Sequence, residues 1–549
     1  MEVTTFVFGT DYPVDLVNYA DIGFLRRKVK LETCFVQNDP LTIHLSNKYI
    51  LSLGNRLFSD IFGERLLDVV LNPCLRNKKV IEVFTKEIDD HPEKLKMLAE
   101  RKELEIEQQQ AYKNLLLSKL AFVSLENEIS PLFALIVFCH TDLSLYCLKQ
   151  MNSELLDSYL FSAVCCNGSI DLLNMFSKEH VKKFLTNRWK LFYPLHIVSV
   201  FHNCEMLCEL IRFSVDVNLQ TDEDKSSSLI LAAGNDTTEN EEYQQGFLSE
   251  FRRNKTIEVL LSENADINLR RKDGASPLYV ACQRGYSSTV QLLLQKGADT
   301  NLCMKYGAGP LFSASENGHY NTVQILLSMG TDINLCSRYG APPLYVASLN
   351  GHSDIVTLLL NSGADINLCM EDGDSPLYAA CLNGHHRIVQ LLVDKGADIN
   401  LFKRYSENPL FIASRKGHDS IVEILVNNGA NINYLNEFEV TPLYLACQNG
   451  HTSTVQVLLN RGATINLGKR NKESPLYVAC KNGHDSTVQL LLKNGASVNL
   501  LTSKGESPID AAYANGHRST VQLILNNGGI INNCIITDMF YKNWLQYMR

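Results

Sequence analysis

Seven histidines recur at an interval of 33 residues: His319, His352, His385, His418, His451, His484 and His517. Imidazole is a common metal ligand and general base, so such a series first raises metal binding or acid–base work. The cysteines raise a second chemistry. Of 16 in the chain, Cys282, Cys381, Cys447 and Cys480 keep one place of the same beat, and Cys303, Cys336 and Cys369 another. The even spacing argues against both. Ligands of one ion must converge to about 2 Å from it, and a disulfide needs Cα atoms within roughly 7 Å. If each interval is one structural layer, successive members stand about 10 Å apart, one helix diameter. The histidines then serve local hydrogen bonding across turns, and the cysteines pack as small, soft side chains. Cys165, Cys166, Cys204 and Cys208 have no histidine partners at zinc-site spacing and read as packing residues or free thiols. No Ser/His/Asp or Cys/His group and no carboxylate pair stands outside the beat. The sequence therefore offers no catalytic constellation, metal site or cofactor site.

The elements that must position these residues follow from the same period. Pro277, Pro310, Pro343, Pro376, Pro409, Pro442, Pro475 and Pro508 are 33 residues apart, as are two glycine series that include Gly384 and Gly396 and an asparagine series from Asn268 to Asn532. Columns in register over eight units set the fold class before propensity is considered. In Asp372 to Arg404, Ser375 is placed to cap a helix with Pro376 at its first position. Asn383-Gly384 ends that helix. A second helix carries Ile388, Val389, Leu391, Leu392 and Val393 and stops at Gly396. Ala397 to Leu401 reads as an extended stretch into the next turn. Neither helix is long enough to stand alone, so burial must come from neighbouring units.

The pattern S/T-P-L-x-x-A-x-x-x-G-H…V-x-x-L-L-x-x-G-A-D-I-N resembles the ankyrin repeat. The resemblance implies an all-α solenoid of helix pairs and projecting turns, with eight regular repeats over 273–536. One column departs from the family, which usually has histidine two places after the proline. Here it holds Tyr279, Phe312, Tyr345, Tyr378, Phe411, Tyr444, Tyr477 and Asp510, so an aromatic ring between fingers is expected to replace the family's hydrogen-bond network. Weaker copies extend the array over 127–272, one opening at Pro194-Leu195-His196 and the next at Ser228. That last copy carries 16 extra residues near 235–252, read as an acidic insertion at the turn between its two helices.

Residues 1–126 lack the beat. Short strands are expected at Leu25–Val36 and Leu41–Leu45, helix at Asn47–Val70, and a charged linking helix over His91–Glu126. The segment 1–90 resembles the winged-helix-like end of the STAND-type (NACHT-like) ATPase modules that precede ankyrin arrays in some invertebrate proteins. A Gly-Lys-Ser/Thr phosphate loop is missing, so the resemblance implies a ligand-sensing part without its nucleotide switch, or a piece of a longer protein. Residues 537–549 form a tail.

A net charge of −9 argues against a sequence-independent grip on nucleic acid. No run of 18 apolar residues and no basic, apolar leader is present, so a soluble, cytoplasmic monomer without membrane insertion is expected. The resemblance implies a non-enzymatic scaffold or adaptor that binds protein partners on the concave face of fingers and first helices. Taking the residue four before each proline as the fingertip, Tyr306, Tyr339, Tyr405 and Phe438 stand where the family commonly has Asp or Asn. These aromatics, the basic Arg338, Lys403 and Arg404 beside them, and Leu349, Leu382, Arg415 and Lys416 on the first helices are the candidate partner contacts. A partner offering an acidic, apolar-anchored face suits that mixture.

Overall fold

The computed structural model describes residues 55–103 and 128–530, apart from 56, 63–65, 71–74, 76–77, 138, 189–191, 236–242 and 403–406. By internal contacts the chain divides into two units. One spans Met1–Ala281 with Ser288–Asp299, the other Cys282–Ser287 with Thr300–Arg549.

The described part of the N-terminal unit opens on helices. Lys78–Asp90 buries Val80, Phe84 and Ile88 at i, i+4 and i+8, one face of the helix. Phe84 meets Phe58 edge to face at 5.2 Å. The strands expected at 25–36 and 41–45 lie outside the described residues. Of the long helix expected over 91–126, residues 104–126 lie outside the described residues; the described part holds a seven-residue helix, Glu93–Ala99, which closes on an extended Glu100. Just beyond it Lys102–Glu103 pairs antiparallel with Glu128–Ile129, a ladder between distant parts of the same chain that overrides helix propensity at 102–103.

Among the described residues, helix pairs follow in this unit at Pro131–Val137 with Thr141–Gln150, Ser158–Asn167 with Ile170–Leu173, Pro194–Val200 with Cys204–Ile211, and Ser228–Gly234 with Tyr243–Ser262, with a further helix at Lys178–Phe184. The insertion near 235–252 is not simply a turn. Tyr243–Ser262 has 20 residues where the second helix Ser287–Gln295 has nine, so the inserted residues add about three helical turns. Arg253, only 3% exposed, anchors this extension by donating Nε–H to the Asn235 carbonyl at 3.3 Å.

The C-terminal unit repeats one module. First helices run Pro310–Glu316, Pro343–Asn350, Pro376–Asn383, Pro409–Lys416, Pro442–Gln448, Pro475–Lys481 and Pro508–Ala514, each followed by a nine-residue second helix such as His386–Asp394. Ser375 caps as the sequence implies, accepting from the Tyr378 N–H at 3.1 Å, with Pro376 at the first position. Gly384 takes φ +78, and a Cβ there would lie 2.8 Å from the His418 ring. The stretch Ala397–Leu401 is a turn rather than an extended segment. Asp398 accepts the Asn400 N–H at 2.9 Å, the local bond by which Asp diverts a backbone into a turn.

Candidate functional site

The histidine column works as a ladder between repeats. His385 places Nε2 3.0 Å from the Leu349 carbonyl, and His352, His451 and His484 reach Glu316, Arg415 and Gln448 in the same way. A carbonyl only accepts, so each ring donates its Nε2–H. Asparagines form a second ladder: Asn334 accepts from Asp365 N–H at 3.0 Å and Asn367 from Asp398 N–H at 2.9 Å. These polar groups are thus engaged in coupling one repeat to the next. Among the described residues no cluster of His, Cys, Asp or Glu could hold a metal ion. Cys282 and Cys381 are buried thiols, and desolvation pushes both well above the usual thiol range, away from the reactive thiolate.

The tyrosines two places after the proline are buried, and three of them pair their hydroxyls with the next finger. Tyr378, Tyr444 and Tyr477 donate to Glu407, Glu473 and Glu506 of the following finger at 3.4, 3.0 and 2.6 Å. Burial, reinforced by the facing carboxylate, pushes these phenols above their ordinary range. Tyr345 is raised to about 12 by burial first and by the charge of Asp374 second. The family's histidine network survives at His196, which takes the Tyr193 N–H on Nδ1 at 3.3 Å and gives Nε2–H to the Leu219 carbonyl at 2.9 Å. Sequence reading foresaw the ring and missed its partner. The signal was present: an acid two before the next proline follows Tyr345, Tyr378, Tyr444 and Tyr477, while Val440 follows Phe411.

The candidate contacts divide into distinct environments. Tyr306 and Tyr339 are each 60% exposed and Phe438 54%, in contrast to Tyr378 at 3% and Tyr477 at 4%. The two tyrosine fingertips are joined through backbone, since Arg338 donates its N–H to the Tyr306 carbonyl at 2.7 Å. Lys403, Arg404 and Tyr405 lie outside the described residues. Leu349 is half-buried against Tyr345, Val346 and Ala379, and Leu382 is half-buried as well. Arg415 is engaged inside the chain, forking onto both oxygens of Glu407 at 3.0 and 3.2 Å. Lys416 is exposed in the last turn of its helix. Three apolar positions were missed: Phe402, 45% exposed, Leu435, 39% exposed, and Leu501, 41% exposed, continue the Cys303, Cys336 and Cys369 column along the fingers.

No described helix is long and apolar enough to cross a membrane. No curated protein matches the chain. Among solved structures, that of the human ASB11 ankyrin repeat domain is similar at 29% identity over 41% of this chain and 100% of that one, with a TM-score of 0.39. The family model described as "Ankyrin repeats (3 copies)" matches residues 248–337, 327–403, 344–436, 403–469 and 443–535. The match does not reach the N-terminal segment, and none of these comparisons shows the expected resemblance to STAND-type modules. Ankyrin repeats generally mediate protein–protein interaction. With the helix pairs, the histidine ladder and a family match spanning more than half its length, the chain belongs to the ankyrin-repeat family.

Proposed function

We propose that the chain is a non-enzymatic scaffold or adaptor whose regular repeats hold a protein partner on the fingertips and first helices. One observation carries the reading. Aromatic rings at the tips, Tyr306, Tyr339 and Phe438, are more than half exposed, while the neighbouring aromatic column is folded away inside the stack. Exposed Tyr and Phe on rigid supports lose little side-chain entropy on binding and are enriched among contacts that dominate interfaces. The ladder histidines and asparagines are meanwhile engaged in holding repeats together, which leaves the scaffold stiff and the tips available. Radical footprinting of complexes recovered by affinity capture tests the reading. Protection of Tyr306 and Tyr339 is expected, and unchanged labelling of both rings in every complex would overturn it.

A further inference from the structure

The residue five before the proline is charged in seven of the eight repeats, Ser503 being the exception, and Lys305, Arg338, Glu371, Glu437 and Arg470 of this column are exposed beside the fingertips. The first three stand on successive fingers. Their backbones are pinned to one another's tips, Arg338 N–H on the Tyr306 carbonyl at 2.7 Å and Glu371 N–H on the Tyr339 carbonyl at 3.0 Å. The side chains of Lys305, Arg338 and Glu371 enter no ion pair among the described residues. Two adjacent fingers thus present the same basic–tyrosine–glycine triplet, Lys305-Tyr306-Gly307 and Arg338-Tyr339-Gly340, and the third reverses sign with Glu371-Asp372-Gly373.

Spacing converts this column into a register. Repeats stack about 10 Å apart, one helix diameter, and an extended chain advances about 3.3 Å per residue. A strand-like peptide laid across the fingers therefore offers one residue in three to each. Resting on the proposed binding face, we infer that the occupant is an extended segment of a partner protein with acids at i and i+3 and a base at i+6, in one chain direction or the other. The acids face Lys305 and Arg338, the base faces Glu371, and apolar residues beside the acids pack on the Tyr306 and Tyr339 rings. Opposed charges fix the register and exclude shifted pairings, because a slip of three residues sets the base against Arg338.

Selection of a random 12-residue display library on the full chain tests this. Enriched peptides should carry the acid, acid, base pattern at three-residue intervals. A synthetic peptide of that pattern should bind the Glu371→Lys variant at least tenfold more weakly and recover when its base is changed to an acid. Position 371 is exposed, so the variant changes charge without touching the core. Peptides that depend on Tyr306 and Tyr339 but lack the period would overturn the register while leaving the binding face in place. Enrichment that ignores Tyr306 and Tyr339 altogether would overturn both.

Discussion

The hydroxyl of Tyr477 donates to Glu506 Oε2 at 2.6 Å across the boundary between two repeats. The tyrosine is 4% exposed and Glu506 half-buried, so the bond is partly shielded from water, and a hydrogen bond to a charged acceptor contributes at most about 1.5–3 kcal/mol. Repeat proteins draw their cooperativity from such nearest-neighbour terms. Tyr444 with Glu473 and Tyr378 with Glu407 do the same one and three boundaries earlier.

Removing one partner of this pair should cost more than replacing both. Tyr477→Phe or Glu506→Val should each lower stability by roughly 1 kcal/mol, since each leaves its former partner only partly solvated and without its hydrogen bond. The double change Tyr477→Phe with Glu506→Val reproduces the apolar pairing that the chain already uses at Phe411 and Val440, and should be less destabilised than the two singles summed. A double-mutant cycle by urea unfolding measures the coupling. Additive effects would remove the pair from the account.

His196 sets an acid limit on the repeat that opens at Pro194. Burial lowers its pKa from 6.5 to about 4, against the smaller opposing effects of the Leu219 carbonyl and the Asp224 charge. A base with a depressed folded-state pKa contributes stability that is present above the unfolded value and lost as pH falls through the folded one. Protection of the helices Pro194–Val200 and Cys204–Ile211 from hydrogen exchange, corrected for intrinsic exchange, should weaken between pH 6.5 and about 4. A His196→Gln variant should flatten that dependence, and an unchanged slope in the variant would reject the assignment.

Gly396 isolates backbone conformation from crowding. Its φ is +86 and a Cβ there would meet nothing within 4 Å, so Gly396→Val is strained but does not clash. The cost should be about 1–3 kcal/mol. Because repeats are coupled through their neighbours, hydrogen exchange should accelerate in both flanking repeats. Acceleration confined to the single turn would contradict that coupling.

The period made the helix pairs, their caps and their stops legible, since proline, glycine and cap residues act locally and do not depend on distant contacts. What stayed hidden was set by tertiary partners. Just beyond Ala99, residues 102–103 pair with 128–129, which no local propensity announces. The role of Arg415 depended on Glu407, eight residues away on the finger, so a side chain read as available is held within the chain. The fingertip aromatics were visible as departures from a column, whereas their exposure needed coordinates. The Tyr–Glu pairs were written in the sequence as two columns 29 residues apart, a separation that single-unit reading passes over.

The central claim is that the fingertip aromatics bind a partner and do not hold the stack. Replacing Tyr306, Tyr339, Tyr405 and Phe438 together by Asn tests it, with a thermal melt read beside quantitative capture of partners. The account predicts an unchanged melting temperature and a loss of capture of at least tenfold, since truncating one aromatic hot spot costs about 2 kcal/mol or more. A clear fall in melting temperature would make the rings structural. An unchanged melt with undiminished capture would contradict the claim and move the binding surface to the first helices around Leu349, Leu382 and Lys416.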